Sequence, residues 1–258
     1  MGLASSIIEM SVGLFLGLLA FMELGRRIAI SRMSANPEGF RKGVGAIEAT
    51  TFALLGLLIA FTLWGAAGRL DTRQNLMAEE ANAIVTAYMR VKMLPQESQQ
   101  RLRESFRRYL EIRLDWYRNL ADPRSAEKDK AIAASIQAEI WNEAVSACRN
   151  QDFQGATMLL LPAINNMINM MTTQAKASRM FTPETIFGLL FVMAIISSIM
   201  AGYAMAGQKK RNWTHTLGYC AIIAFTVFVI LDLEYRRHGP ERRDSSNQAR
   251  LELKNTIK

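Results

Sequence analysis

The polar residues best placed to do chemistry lie along one stretch, Gly43 to Met93. Glu48, Thr51 and Thr62 fall in its apolar first half, and Asp71, Glu79, Glu80 and Asn82 in its polar second half. Carboxylates, hydroxyls and amides offer oxygen to ions. Repeated around an oligomer axis they would form rings that bind ions along a pore and at its mouth. An ionisable residue at membrane depth is a functional candidate in its own right. Each residue also has a structural reading. The helix dipole favours a carboxylate such as Glu48 near a helix start, and Glu9 shares that reading. Asn82 lies three residues after Glu79 and four before Thr86, so it shares a helix face with either. It could instead hydrogen-bond a neighbouring helix, and Asp71 could pair with Arg69 or Arg73.

The element that must position these residues is a long helix. From about Ala46 to Ala67 it is apolar enough to cross a bilayer. From Asp71 it keeps helical periodicity but turns polar, and no proline breaks the join. The spacing predicts one helix, or two nearly coaxial ones, leaving the membrane at Arg69 to Asp71.

Three more apolar blocks have spanning length. Leu3 to Met22 is read as the first span and as uncleaved, because no positive n-region or cleavage site marks a signal peptide. Its Gly13 and Gly17 form a GxxxG, extended by Ala20, read either as a helix-packing seam or as ordinary glycine usage in membrane helices. A basic loop, Glu23 to Lys42, follows, with a turn at Asn36-Pro37 and Gly39. Thr182-Pro183-Glu184 reads as N-cap, first helical position and dipole-friendly carboxylate. It opens the third span, about Ile186 to Met205, where Ser197, Ser198 and Gly202 serve either close packing or a polar lining. A basic turn at Gln208 to Trp213 leads to the fourth span, about Thr214 to Leu231.

Between the second and third spans the sequence predicts a four-helix bundle in water. Its first helix continues the second span to Met93, with Leu76, Ile84, Tyr88 and Val91 on one face. The second, after Pro95, places Leu102, Phe106, Tyr109, Trp116 and Leu120 at helical spacing. Its other face, Arg101, Arg103, Arg107, Arg108, Glu111 and Arg118, is a solvated surface or an electropositive vestibule. Asp122-Pro123 and Ser125 cap the third helix, striped by Ile132, Ile136, Ile140 and Ala144. After a break at Asn150 to Gly155, the fourth carries Leu160, Ile164, Met167 and Met171, with a kink at Pro162.

The 258 residues carry a formal charge of +8. The basic residues flank apolar blocks: Arg26, Arg27, Arg41 and Lys42, then Lys209 to Arg211, then Arg236, Arg237, Arg242 and Arg243. That is membrane-flanking charge, and no RNA-binding or zinc-finger motif accompanies it, so nucleic acid is not an expected partner. With only His215 and His238, no His-based zinc site can be composed. Cys148 and Cys220 cannot be assumed to pair. No phosphate loop, nucleophile elbow or His-Glu metal pair occurs, so neither an enzyme nor a cofactor is expected.

Four spans put the N-terminus, the bundle and the C-terminus on one side. The flank before the first span has no Lys or Arg, whereas the loop after it is basic. By the positive-inside rule the short loops are cytoplasmic and the bundle is external, periplasm-like, at an inner membrane. The basic tail argues the other way.

Several segments carry a family resemblance. Gly56-Leu57-Leu58-Ile59-Ala60-Phe61, Arg69-Leu70-Asp71-Thr72-Arg73 and Glu80-Ala81-Asn82-Ala83-Ile84 resemble the bacterial bestrophin-like domain-of-unknown-function membrane proteins. Glu23-Leu24-Gly25-Arg26-Arg27, the Tyr109 helix and Leu231-Asp232-Leu233 fit the same pattern. The resemblance implies kinship with bestrophins, oligomeric anion channels with a long hydrophobic-necked pore. This chain lacks an acidic run resembling a calcium clasp and an obvious neck triplet, so anion conduction is implied by the resemblance alone.

The sequence therefore reads as an all-α integral membrane protein with four transmembrane helices. A four-helix extramembrane bundle is inserted between the second and third. The boundaries are 1–71 and 181–235 for the membrane domain, 72–180 for the bundle and 236–258 for a basic tail. The expected partners are the lipid bilayer, further copies of the chain and inorganic ions. The expected function is an ion channel lined by the second span and its extension. The alternative is a non-conducting sensor or scaffold whose bundle binds a partner.

Overall fold

The computed structural model of the chain describes residues 2–35, 44–119, 122–149, 154–178, 180–206 and 212–235. Among them are seven α-helices: α1 (Gly2–Ala35), α2 (Val44–Arg90), α3 (Gln96–Asn119), α4 (Pro123–Ala147), α5 (Gln154–Ala177), α6 (Glu184–Met205) and α7 (Trp213–Tyr235). Leu120, the turn at Asn36-Pro37 and Gly39, the basic residues Arg41, Lys42 and Lys209 to Arg211, and the tail from Arg236 lie outside the described residues. The described residues divide into two compact units, one within 2–70 and 181–235 and the other within 71–180.

Among the described residues, four helices are long and apolar enough to cross a membrane, which fits a multi-pass membrane protein. In the first unit α1 packs on α6 along Leu14, Leu18, Met22, Gly25 and Ala29, all buried. Between helices in lipid, apolar burial drives little. Close approach and interhelical hydrogen bonds do the holding. Here the Ser198 hydroxyl donates to the Leu18 carbonyl at 2.6 Å. A Cβ on Gly25 would collide with the Ile199 carbonyl, and one on Gly202 with that of Met22. Ser197 is buried beside Tyr219, with 2.7 Å between hydroxyls. These small residues therefore pack helices rather than line an opening.

One expectation for this unit is corrected. The basic loop expected from Glu23 is helical as far as Ala35, because Arg26 and Arg27 pair with Glu23 one turn back and Gly25 belongs to the seam with α6. Within the subunit the seam is not at Gly13 and Gly17, where a Cβ would meet nothing within 4 Å.

α2 is one unbroken helix of 47 residues. A 3-10 turn, Val91–Met93, ends it, and Leu94, held extended by Pro95, prevents continuation. In the second unit α2, α3, α4 and α5 share one core. It contains the expected Ile84, Tyr88, Val91, Leu102, Phe106, Tyr109, Leu160, Ile164, Met167 and Met171. Asp122 caps α4 through a 3.1 Å bond from the Arg124 amide. The α4 stripe fails at one end: Ile136, Ile140 and Ala144 are buried, but Ile132 is 38 % exposed and Ala133 takes its place. A strict four-residue repeat drifts around a helix of 3.6 residues per turn, and three repeats carry it off the core.

Candidate functional site

α2 has two opposite sides. Leu55, Thr62, Ala66, Arg69, Arg73, Glu80, Ile84, Ala87 and Val91 recur at helical spacings and form its covered side. Half a turn away, Ala46, Ala53, Ala60, Ala67, Asp71, Ala78, Asn82 and Met89 recur at sevens and fours, and every one is exposed. The covered side carries three charged residues, and each is engaged within its own unit.

In the first unit Arg69 grips Glu234, at the end of α7. Arg69 Nη2 lies 2.8 Å from Glu234 Oε2, and Arg69 Nε lies 3.1 Å from the same oxygen. The Thr182 amide donates to Glu234 Oε1 at 2.6 Å, and the Thr182 hydroxyl accepts from Arg69. Thr182 therefore does not cap α6. Pro183 holds the cap position without a side-chain bond, and Thr182 is spent on the Arg69–Glu234 pair. In the second unit Arg73 donates to the carbonyls of Ala177, the last residue of α5, and of Met180 beyond it.

The third charge, Glu80, sits inside the second unit's core. Its side chain and that of Arg113 on α3 are each 2 % exposed. Arg113 Nε lies 2.6 Å from Oε1 and Nη2 2.8 Å from Oε2. The Tyr117 hydroxyl donates to Glu80 and also reaches the Gln174 amide on α5. Gln137 on α4 donates to the Tyr109 hydroxyl at 2.9 Å. Arg113 lies 4.3 Å from the centre of the Trp116 ring, a cation–π geometry. Burial opposes the Arg113 cation, but Glu80 holds its pKa above the ordinary value. Burial first, then the Glu80 charge, pushes the Tyr109 and Tyr117 phenols up. A polar network joining four helices in a core has few alternative registers, because any shift would strand a buried charge.

The expected site residues separate accordingly. Glu80 is corrected: it belongs to a buried ion pair, because its register 80–84–88–91 is that of the apolar stripe. Thr62 is buried against its own subunit, and its hydroxyl donates to the Leu58 carbonyl at 2.7 Å. The Thr51 hydroxyl turns back to the Ile47 carbonyl at 2.9 Å. Glu48 is half-buried. Asp71 is exposed and accepts from Asn75 at 3.3 Å, one turn on. Glu79 and Asn82 are exposed and come together in a groove of about 410 Å³ between α2 and α5. Thr86, Arg90 and Asn166 also line it.

Arg113 was not among the expected residues, yet its signal is in the sequence. Positions 102, 106, 109, 113 and 116 make one helical stripe, and an arginine in such a stripe requires a buried acid. The arginine-rich face of α3 is locally neutralised. Arg101 bonds Glu97 and Glu143, each at 2.8 Å, and Arg108 pairs with Glu139.

Comparison with curated proteins and with solved structures returned no match. A family model described as the bestrophin-like domain matches residues 12–236. That span takes in most of the first apolar helix, all of the other three and the core around Glu80 and Arg113, and the chain belongs to the bestrophin-like domain family.

Proposed function

We propose that the chain is one subunit of a homo-oligomeric ion channel, with α2 facing a conduction path on the symmetry axis. The observation that carries this reading is how little of α2 its own subunit covers. Of its most apolar stretch 11 % is buried, against 22 % for α1 and 33 % for each of α6 and α7. A spanning helix left so bare needs neighbouring subunits, a water-filled path, or lipid around it. Membership of the bestrophin-like family supports a channel-like membrane protein. The exposed Asp71, Glu79 and Asn82 supply oxygen donors where the helix turns polar. In this reading the second unit lies in water on the periplasmic side of the inner membrane, as the charge around the first span favours. Anion selectivity rests on family likeness only.

A specific observation favours a second reading, a non-conducting sensor or scaffold. The uncovered side of α2 in the span is an alanine repeat, Ala46, Ala53, Ala60 and Ala67, and the Thr50 and Thr51 hydroxyls are bonded within the helix. Small residues at sevens suit close helix packing as well as a lining.

The test is ion flux into liposomes holding the purified oligomer, with chloride replaced by a large anion and then potassium by a large cation. Flux lost on chloride replacement supports an anion channel. Flux lost only on potassium replacement keeps the channel and rejects anion selectivity. No flux from folded, oriented protein moves the conclusion to the scaffold.

A further inference from the structure

The helices around the second unit's core differ sharply in what they show to solvent. α3 and α4 present ion pairs, among them Arg101–Glu143, Arg108–Glu139 and Lys130–Glu127. α5 has one charged residue, Lys176, in its entire length. Besides Gly155 and Lys176, its exposed positions are Met158, Leu159, Pro162, Asn165, Asn166, Asn169, Thr172 and Thr173, with Met158 78 % exposed. A helix face left permanently to water normally carries charge, whereas the centres of protein interfaces are poor in Lys, Glu and Asp and rich in Met. Beside α5 lies the 410 Å³ groove, whose α2 wall includes Asn82 and Thr86.

We propose that this α2–α5 face is a docking surface for a second copy of the chain. The chemistry of the face selects that occupant. Amides and hydroxyls each carry both donor and acceptor, so a face built from Asn82, Thr86, Asn165, Asn166 and Asn169 can satisfy a copy of itself. The two charges that line its groove, Glu79 and Arg90, are opposite in sign and so can likewise pair with those of a copy. The inference rests on the homo-oligomeric part of the proposed function and is independent of conduction.

The test uses full-length chains carrying two different tags, co-expressed in one membrane in a Cys148→Ser background, since Cys148 is a partly exposed free thiol. One chain carries Asn82→Cys and the other Asn166→Cys, so any product bearing both tags joins two subunits. Treatment with a short bis-maleimide is expected to give that product. Arg107→Cys with Lys130→Cys, on the charged helices, is expected to give none. Adding Asn165→Asp and Asn169→Asp to both tagged chains is expected to abolish the α2–α5 product by placing like charges across the contact. The inference is overturned if the α2–α5 pair gives no doubly tagged product, if the α3–α4 pair gives as much, or if the cross-linked partner is another protein. Ala60→Cys with Ala67→Cys separates the two failures. A doubly tagged product there alone keeps the oligomer and discards this face, and none from any pair discards both.

Discussion

Arg113 and Glu80 form a two-point ion pair, 2.6 and 2.8 Å, inside the second unit's core, among the buried amides of Gln137 and Gln174. Breaking such a pair from one side strands a buried charge and costs about 3–5 kcal/mol. Arg113→Met is therefore expected to lower the thermal unfolding midpoint sharply. Arg113→Met with Glu80→Leu should be more stable than Arg113→Met alone, because the double replacement leaves no charge behind. Calorimetry of the three proteins in detergent checks this. A double variant less stable than the single one would show that the pair's worth lies in its links to Tyr117 and Gln174.

Much of the fold was legible because apolar periodicity reports burial directly. The four spans, the α3 stripe through Leu102 and Tyr109 and the α5 stripe through Leu160 and Met167 all follow from it. What was not legible depends on partners distant in sequence. Glu80 reads as a surface carboxylate until Arg113 is placed opposite it, and Thr182 reads as a cap until Arg69 and Glu234 claim it. Gly13-x-x-x-Gly17 and Gly25 are equally plausible seams in sequence. Only the course of α6 decides that Gly25 is the close contact within the subunit.

The glycines give a second prediction. Gly25→Val and Gly202→Val each drive a side chain into a backbone carbonyl that cannot rotate away, so the cost should exceed the roughly 1–3 kcal/mol of side-chain overpacking. Loss of folded protein in size-exclusion profiles is expected for both. Gly13→Val and Gly17→Val should leave the subunit folded. A shift in their oligomer size would assign those glycines to packing between subunits.

Glu234 is fully buried and Arg69 is partly exposed. Solvent therefore softens the loss of Glu234 by still reaching Arg69. Glu234→Ala is expected to destabilise less than Glu80→Ala. Thr182→Ala, which keeps the amide bond to Glu234, should destabilise less again. Unfolding midpoints of the three variants, measured in one detergent, test the order.

Tyr109 and Tyr117 give a pH prediction. Their phenols are raised by burial and by Glu80, whereas in the unfolded chain they ionise near the usual value of about 10. A group whose folded pKa is raised contributes stability that is complete below its unfolded pKa and is lost as pH climbs toward the folded value. Stability should therefore fall as pH rises above about 10, and less steeply in Tyr117→Phe. Phenolate absorbance should show these two tyrosines ionising only as the protein unfolds.

The two sides of α2 make the proposed function testable residue by residue. Ala60 and Ala67 are exposed, whereas Leu55 and Ala66 are buried against their own subunit. If α2 lines a conduction path, a water-soluble, charged thiol reagent should modify Ala60→Cys and Ala67→Cys in the membrane and block flux. Leu55→Cys and Ala66→Cys should stay unmodified, because no water reaches the covered side. Reaction on the covered side would rotate the helix and overturn the assignment of faces. Protection of both sides from the reagent, with Ala60→Cys cross-linking between subunits, would mean that the alanine repeat is a dry helix contact, and the scaffold reading would then stand in place of the channel.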